Sequence, residues 1–165
     1  MASLRILLVC PDPKGLGTMA AALSGQFPVL AAHSTNDALA LIKRFGPCDA
    51  AFCQVFDDPE AGVAFVNALC RASPGIIVIA LTQLPCSRTI LQAAQKGLVN
   101  SICLLPLSPE LLSDKARHLL SARHRRHCLE VPSAHLTREE VDFLLGRCQP
   151  EHPRPPQAPK VSAPS

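Results

Sequence analysis

The sequence predicts an α/β protein in which a parallel sheet of five strands is covered by helices on both faces. Three observations predict this fold class. Short apolar runs recur along the chain, each is followed by apolar residues at helical spacing, and the connections between them are short. Strict alternation of this kind, with right-handed crossovers, gives an open doubly wound sheet. In such a sheet the functional loops lie at the carboxyl ends of the strands.

The first three elements follow from the spacing of apolar residues. Residues 4–10 (LRILLVC) form a branched apolar run that ends at Pro11, which is typical of a strand buried on both faces. Helical spacing predicts a helix over 14–26, and a new apolar run predicts a second strand over 27–32. The chain therefore begins with strand, helix and strand.

Cap and stop residues delimit the next three elements. Ser34 or Thr35 caps a helix that extends through Phe45, which we expect on its apolar face, and a Gly-Pro pair stops it. The apolar run at 49–55 predicts the third strand, and helical spacing predicts the third helix over 62–72.

Two further strands and two further helices complete the repeat. We expect strands over 75–81 and 99–105, separated by a helix over 87–96. Ser108 caps the last helix of the repeat and Pro109 takes its first position. The result is five strands that alternate with five helices.

The character of the chain changes after this repeat. We expect a domain over 1–127, a linker with a short helix over 128–148, and a disordered, proline-rich tail over 149–165. In the short helix, Thr137 is the expected N-cap and Glu140 stands at capping-box spacing. Its apolar residues are available to dock on the domain or on a partner.

Length and charge fit one small globular domain. The chain has 165 residues, of which 48% are hydrophobic and 18% charged, and its formal net charge is +3. No apolar run approaches the roughly 18 residues that a membrane-spanning helix requires, and residues 1–5 lack the order of a signal peptide. We therefore expect a cytoplasmic protein with no membrane partner.

Cysteine and aromatic content exclude further classes. Most of the eight cysteines lie in apolar stretches, so we expect reduced thiols and no disulfide framework. No C-x-x-C pair occurs, and His124 with Cys128 supplies only two ligands, so no metal site is predicted. Without Trp or Tyr the chain lacks stacking platforms for single-stranded nucleic acid.

Four phrases of the chain, in register, resemble the receiver domain of bacterial two-component response regulators over residues 4–122. The family's first strand and acidic turn resemble RILLVCPDP, and its third strand, phosphoacceptor loop and third helix resemble CDAAFCQVFDDPEAGVAFVNAL. Its fourth strand with a hydroxyl residue resembles IIVIALTQ, and the run that closes the domain resembles AAQKGLVNSICLLPLSPELL. The resemblance implies a flavodoxin-like (βα)5 fold with a C-terminal helical extension.

The resemblance also implies that the residues needed for phosphorylation are replaced. A working receiver holds Mg²⁺ with two carboxylates after the first strand and one at the end of the third, which is the nucleophile. Here Cys10 and Pro11 stand at the acidic pair and Gln54 at the phosphoacceptor position. A thiol is a poor Mg²⁺ ligand, proline has no ligand atom, and an amide cannot form an acyl phosphate. Only Asp12 survives, so we expect no cofactor and no enzymatic activity.

The rest of the pocket is changed as well. Leu105 stands where the family has a lysine that pairs with the phosphoryl group, and Ile102 replaces the aromatic residue of the fifth strand. Thr82 matches the family's hydroxyl residue, which alone cannot receive a phosphoryl group. The degenerate pocket is therefore Cys10, Pro11, Asp12, Gln54, Thr82 and Leu105.

The leading hypothesis is a phosphorylation-independent pseudo-receiver that acts in bacterial signalling by binding another protein. Its expected partner is a signalling kinase, a regulator or an output protein. By resemblance, the fourth helix, fifth strand and fifth helix carry partners and homodimers. The candidate contact residues on that surface are Ile90, Ile102, Leu107 and Leu111.

The most basic stretch of the chain supports an alternative, a nucleic-acid-associated transcriptional regulator. Within residues 117–127, Arg123, Arg125 and Arg126 are the candidates for phosphate contact. The stretch is short and has no interleaved aromatic residue, and its cations also suit the C-terminal end of a helix.

Two further alternatives concern the altered pocket. In the first, Asp57, Asp58 or Asp12 replaces the lost acids through a shift of register, which leaves a phosphorylatable receiver. Aspartates in loops are more often solvated or placed at a helix N-terminus. In the second, Cys10 is the reactive thiol of an enzyme or ligand sensor.

Overall fold

The structure is a computed structural model, and it describes residues 3–126 and 137–146. Strands and helices alternate through these residues in the predicted order. The predicted tail over 149–165 and most of the predicted linker lie outside the described residues. Within the described ranges, no helix combines the length and the apolar character that crossing a bilayer requires.

Five parallel strands form one sheet in the order β2-β1-β3-β4-β5. This arrangement confirms the predicted doubly wound, flavodoxin-like α/β fold. Each strand is shorter than the apolar run that predicted it. The strands are β1 (Ile6–Val9), β2 (Val29–Ala32), β3 (Ala50–Cys53), β4 (Ile77–Thr82) and β5 (Ser101–Leu104).

Helices follow every strand, and one more helix stands near the C-terminal end of the described residues. They are α1 (Pro13–Ser24), α2 (Thr35–Phe45), α3 (Pro59–Ala72), α4 (Arg88–Gln95), α5 (Pro109–Arg126) and α6 (Arg138–Leu144).

The sheet separates two clusters of buried side chains. Helices α1 and α5 pack on one face, where Ile6 and Leu8 of β1 point. Helices α2, α3 and α4 cover the other face, to which Leu7 and Val9 point. Because successive strand residues alternate between faces, the continuous apolar run of β1 is buried on both sides.

Local hydrogen bonds explain where the helices begin. The Ser34 hydroxyl accepts a hydrogen bond from the backbone N–H of Asp37, which confirms Ser34 as the cap of α2. Helix α3 begins at Pro59, three residues before the predicted start, because the Asp58 carboxylate caps it. One packing expectation was wrong: Phe45, at the end of α2, is 47% exposed.

Candidate functional site

The residues of the predicted pocket lie at the carboxyl edge of the sheet. Val9 pairs with Cys53 across β1 and β3, so the next residues, Cys10 and Gln54, stand side by side at the edge. Thr82 pairs with Leu104 across β4 and β5. The structure therefore gathers the predicted pocket positions at one edge, where an open α/β sheet places its functional loops.

Cys10 and Gln54 are joined to each other. The Cys10 thiol donates to Gln54 Oε1 at 3.2 Å and lies 3.5 Å from the backbone oxygen of Asp12. The backbone N–H of Gln54 donates to the Val9 carbonyl at 2.8 Å. The Gln54 amide oxygen thus accepts a thiol hydrogen bond within the chain.

Asp12 is the N-cap of α1. One carboxylate oxygen accepts from the backbone N–H of Gly15 at 2.7 Å, and the other accepts from that of Lys14 at 3.3 Å. A Cβ on Gly15 would lie only 2.8 Å from Asp12 Oδ2, so glycine at this position permits the carboxylate to fold over the helix terminus. The surviving acid is therefore engaged in capping. Pro11, just before it, is exposed.

Thr82 and Leu105 lie next to each other at the ends of β4 and β5. The Thr82 hydroxyl donates to the backbone oxygen of Gln83 at 3.4 Å. The backbone N–H of Leu105 donates to the Thr82 carbonyl at 2.8 Å, while the Leu105 side chain is half-buried and packs on the α1 and α5 side of the sheet. No cation stands at the Leu105 position to meet a phosphoryl group.

The acids that follow β3 lie at a helix N-terminus and in an exposed position. Asp58 accepts hydrogen bonds from the backbone N–H groups of Glu60 and Ala61, both at 3.2 Å, and Asp57 is exposed. In residues 3–126 and 137–146, no three His, Cys, Asp or Glu side chains are placed to share a metal ion. The carboxylates thus act at helix termini and in solvent.

Burial raises the pKa of each thiol in the described residues. All six cysteines in the described part of the chain are free. Burial raises the pKa of Cys10, an effect that the hydrogen bond with the Asp12 backbone opposes and the Asp12 charge reinforces. Burial also raises the pKa of Cys48 to about 11. Since the thiolate is the reactive form, this environment disfavours Cys10 as a nucleophile.

A second surface lies along β5, which is an edge strand of the sheet. The predicted contact residues differ in exposure: Ile90 of α4 is 1% exposed and belongs to the core, whereas Leu111 of α5 is 59% exposed. Ile102 and Leu107 are half-buried. Of these four, Ile90 is not accessible to a partner.

Helix α6 lies against this second surface. Leu144 is buried, and Val141 and Leu145 pack on the same cluster as Ile102 and Leu104 of β5. The backbone N–H of Cys86, in the loop after β4, donates to the Leu144 carbonyl at 2.9 Å. The short C-terminal helix therefore docks on its own domain.

The predicted capping box of α6 is present. The Thr137 hydroxyl accepts from the backbone N–H of Glu140 at 3.2 Å, and the Glu140 carboxylate accepts from the backbone N–H of Thr137 at 2.8 Å. These bonds from Thr137 hold the pKa of Glu140 below its ordinary value.

A cavity of about 630 Å³ remains beside the docked helix. Residues of α4, β5, α5 and α6 line it, so it spans the surface formed by the first three elements, which we call the α4–β5–α5 surface. Its polar lining includes Lys115 of α5 together with Glu139 and Glu140 of α6. Phe143, 54% exposed, lines the same cavity.

Three arginines were predicted to contact phosphate. Arg123, Arg125 and Arg126 belong to the last turns of α5, but their side chains lie outside the described part of the structure. The phosphate-contact alternative stays a prediction.

Sequence reasoning missed two residues that line the α4–β5–α5 surface, Leu104 and Lys115. Leu104 follows Ile102 at strand spacing and Lys115 follows Leu111 at helical spacing, which are the signals that could have found them.

Comparison with known proteins supports the fold. No protein-family model matches the chain, and no curated protein sequence does. Among solved structures, it is similar to an adenylate cyclase from Rhodopirellula baltica, with 24% identity, a TM-score of 0.64, and coverage of 78% of this chain and 92% of that one.

Two receiver structures are similar as well. A response regulator from Thermotoga maritima is 17% identical with a TM-score of 0.63, covering 73% of this chain and 99% of that one. A CheY-like receiver domain protein from Methanospirillum hungatei is 17% identical with a TM-score of 0.64, covering 76% and 99%. The described domain therefore has the fold of CheY-like receiver domains.

Proposed function

We propose that this chain is a pseudo-receiver, a non-enzymatic signalling protein that keeps the receiver fold and regulates another protein by binding it without phosphorylation. The observation that carries the proposal is the Cys10–Gln54 hydrogen bond, 3.2 Å long, at the edge where a receiver holds its phosphoacceptor. An amide has no nucleophilic oxygen that could form an acyl phosphate.

The surrounding residues support the same conclusion. Mg²⁺ needs several oxygen ligands around one point, usually carboxylates. Asp12 and Asp58 accept backbone hydrogen bonds at the starts of α1 and α3 instead. Leu105 supplies no charge for a phosphoryl group. Each of these features removes a different requirement of phosphoryl transfer.

Binding is the function that remains for the fold. The partner is a protein of the same signalling system: a kinase, a regulator or an output protein. The α4–β5–α5 surface is the contact that we assign to it, since Leu111 of α5 is exposed and Ile102 and Leu104 of the edge strand β5 form a half-buried apolar strip beside α6. An exposed apolar surface bordered by polar residues is typical of protein interaction sites. A homodimer through this surface is the alternative assembly.

Exposure to a small phosphodonor tests the proposal. The full chain is incubated with Mg²⁺ and acetyl phosphate and weighed intact by mass spectrometry, beside a receiver domain whose acids are present. We expect the mass of the chain to stay unchanged while the control gains a phosphoryl group. Stoichiometric gain by the chain would overturn the proposal. Loss of that gain in Asp57→Asn would then locate a displaced phosphoacceptor.

A further inference from the structure

The feature that carries an inference is the position of α6. This helix of seven residues lies on the α4–β5–α5 surface, where β5 has, among the described residues, a hydrogen-bonded neighbour on one side only. An edge strand presents free backbone groups and apolar side chains, and proteins cover such edges with helices or loops. In this chain the covering element is a separate segment of the C-terminal region.

The contacts of α6 are those of an amphipathic ligand in a groove. Its apolar residues Val141, Leu144 and Leu145 face the cluster that includes the β5 strip. On its polar side, Glu139 and Glu140 line the cavity that Lys115 also lines. Apolar anchors at helical spacing together with charges of opposite sign are how amphipathic helices are recognised in grooves.

Helix α6, of seven residues, is the shortest helix in the described part of the chain. A helix of this length is unstable alone in water, so its order depends on the capping box and on docking. It fills the surface only in part, since about 630 Å³ stays open beside it and Phe143 remains 54% exposed. A longer helix in the same place would bury more apolar area.

We propose that α6 is an intramolecular ligand of the α4–β5–α5 surface, and that it must leave before a partner can bind there. This inference rests on the proposed function only in naming that surface as the partner's. The partner that fits is an acidic amphipathic helix with the chemistry of α6. Tethering favours α6 over such a partner because it raises the local concentration of α6 to the order of millimolar.

A peptide made from the chain's own sequence provides the probe. A fluorescein-labelled peptide of residues 136–147 is titrated with full-length protein, and binding is followed by fluorescence anisotropy. The protein is compared as wild type, as Leu144→Asp, which places a charge at the buried contact of α6, and as Arg138→Ala. Arg138 is exposed and lies outside the docking contacts, so its variant is the matched control.

We expect Leu144→Asp to bind the peptide with a dissociation constant on the order of 0.1 mM. At a millimolar effective concentration, this value makes the docked population of α6 in the wild-type chain about tenfold larger than the released population. Wild type and Arg138→Ala are expected to bind roughly tenfold more weakly, since the surface is vacant in only a small fraction of molecules. Equal affinity for all three proteins, or no binding by Leu144→Asp, overturns the proposal. A wild-type dimer that Leu144→Asp dissociates also overturns it, because α6 would then cover a second copy.

A second variant keeps the test valid if Leu144→Asp does not fold. Thr137→Ala removes the N-cap of α6 without touching the core, and it should strengthen peptide binding by about threefold. The assay requires neither phosphorylation nor a partner. A phosphoryl gain would therefore overturn the proposed function alone, and equal peptide affinities would overturn the α6 inference alone.

Discussion

The carboxyl edge of the sheet and the α4–β5–α5 surface are both covered, but by different means. At the carboxyl edge, Cys10, Asp12 and Gln54 bond with one another or with adjacent backbone, so the closure is part of the domain. At the α4–β5–α5 surface the cover is α6, a short helix that follows residues 127–136 along the chain. The first closure lies between residues at the ends of paired strands, whereas the second depends on one short helix, whose release would open it.

The largest loss of stability is expected for Gly62→Ala, because the added methyl group would collide with the residues that follow Gln54. A Cβ on Gly62 would lie 2.6 Å from Phe56 Cδ1 and 2.9 Å from the Val55 backbone oxygen. We expect Gly62→Ala to lower the free energy of unfolding of the whole domain by about 1–3 kcal/mol, measured by chemical denaturation. The matched control is Gly17→Ala in α1, where a Cβ would meet nothing within 4 Å. It should raise stability by up to about 1 kcal/mol.

A smaller and more local effect is expected at α6. Thr137→Ala removes the hydroxyl that accepts from the Glu140 backbone N–H, at a cost of about 1 kcal/mol to the docked helix. Hydrogen exchange should become faster over 137–146 and along β5, while exchange in β1 and β3 stays unchanged. Faster exchange throughout the sheet would mean that both regions open together.

Acid should loosen the same helix. The bonds from Thr137 depress the pKa of Glu140, so its contribution to α6 is present above the ordinary pKa of about 4.5 and is lost as the pH falls through the lowered value. Glu140→Gln keeps an acceptor that does not titrate. The hydrogen-exchange protection of the α6 amides in wild type and in this variant should therefore become equal as the pH falls below 4.5. A constant difference would exclude the carboxylate as the cause.

The smallest expected effect is at the carboxyl edge itself. Because burial raises the pKa of Cys10, a thiol reagent at neutral pH should label it more slowly than the same cysteine in denatured chain. Gln54→Met removes the acceptor of a weak donor and should cost no more than about 1 kcal/mol. Mapping the label by peptide mass spectrometry checks the first expectation. Rapid, selective labelling of Cys10 would instead favour the sensor alternative.

Much of the fold could be predicted because its signals are local. Apolar runs of strand length, the Ser34 and Thr137 caps and the Ser108-Pro109 pair each depend on neighbouring residues, and the structure has an element at each place. The start of α3 was missed by three residues because Asp58 was interpreted as a loop residue, although a cap is also a local feature. Helical spacing placed Phe45 on the apolar face of α2. Spacing does not show whether a neighbouring element extends far enough to cover that residue, and Phe45 is exposed.

The candidate site was only partly predictable, since it depends on contacts between distant segments. Strand order brings Cys10 to Gln54, and four phrases in register sufficed to expect that. Spacing alone does not show that Ile90 faces the core, nor that α6 returns to β5 across more than thirty residues. Leu104 and Lys115 line one cavity with residues of α6, and they share that surface only in the folded chain.

Partner binding through the α4–β5–α5 surface can be measured by quantitative capture from native lysate. Tagged full-length protein is compared with Leu111→Gln, on the exposed part of that surface, and with Phe45→Gln, an equally apolar exposed control on α2. We predict a nuclease-resistant, stoichiometric protein partner that displaces α6 and whose recovery falls at least about fivefold with Leu111→Gln and not with Phe45→Gln. Recovery that collapses with nuclease, or that ignores Leu111→Gln, would contradict the account and favour the basic segment.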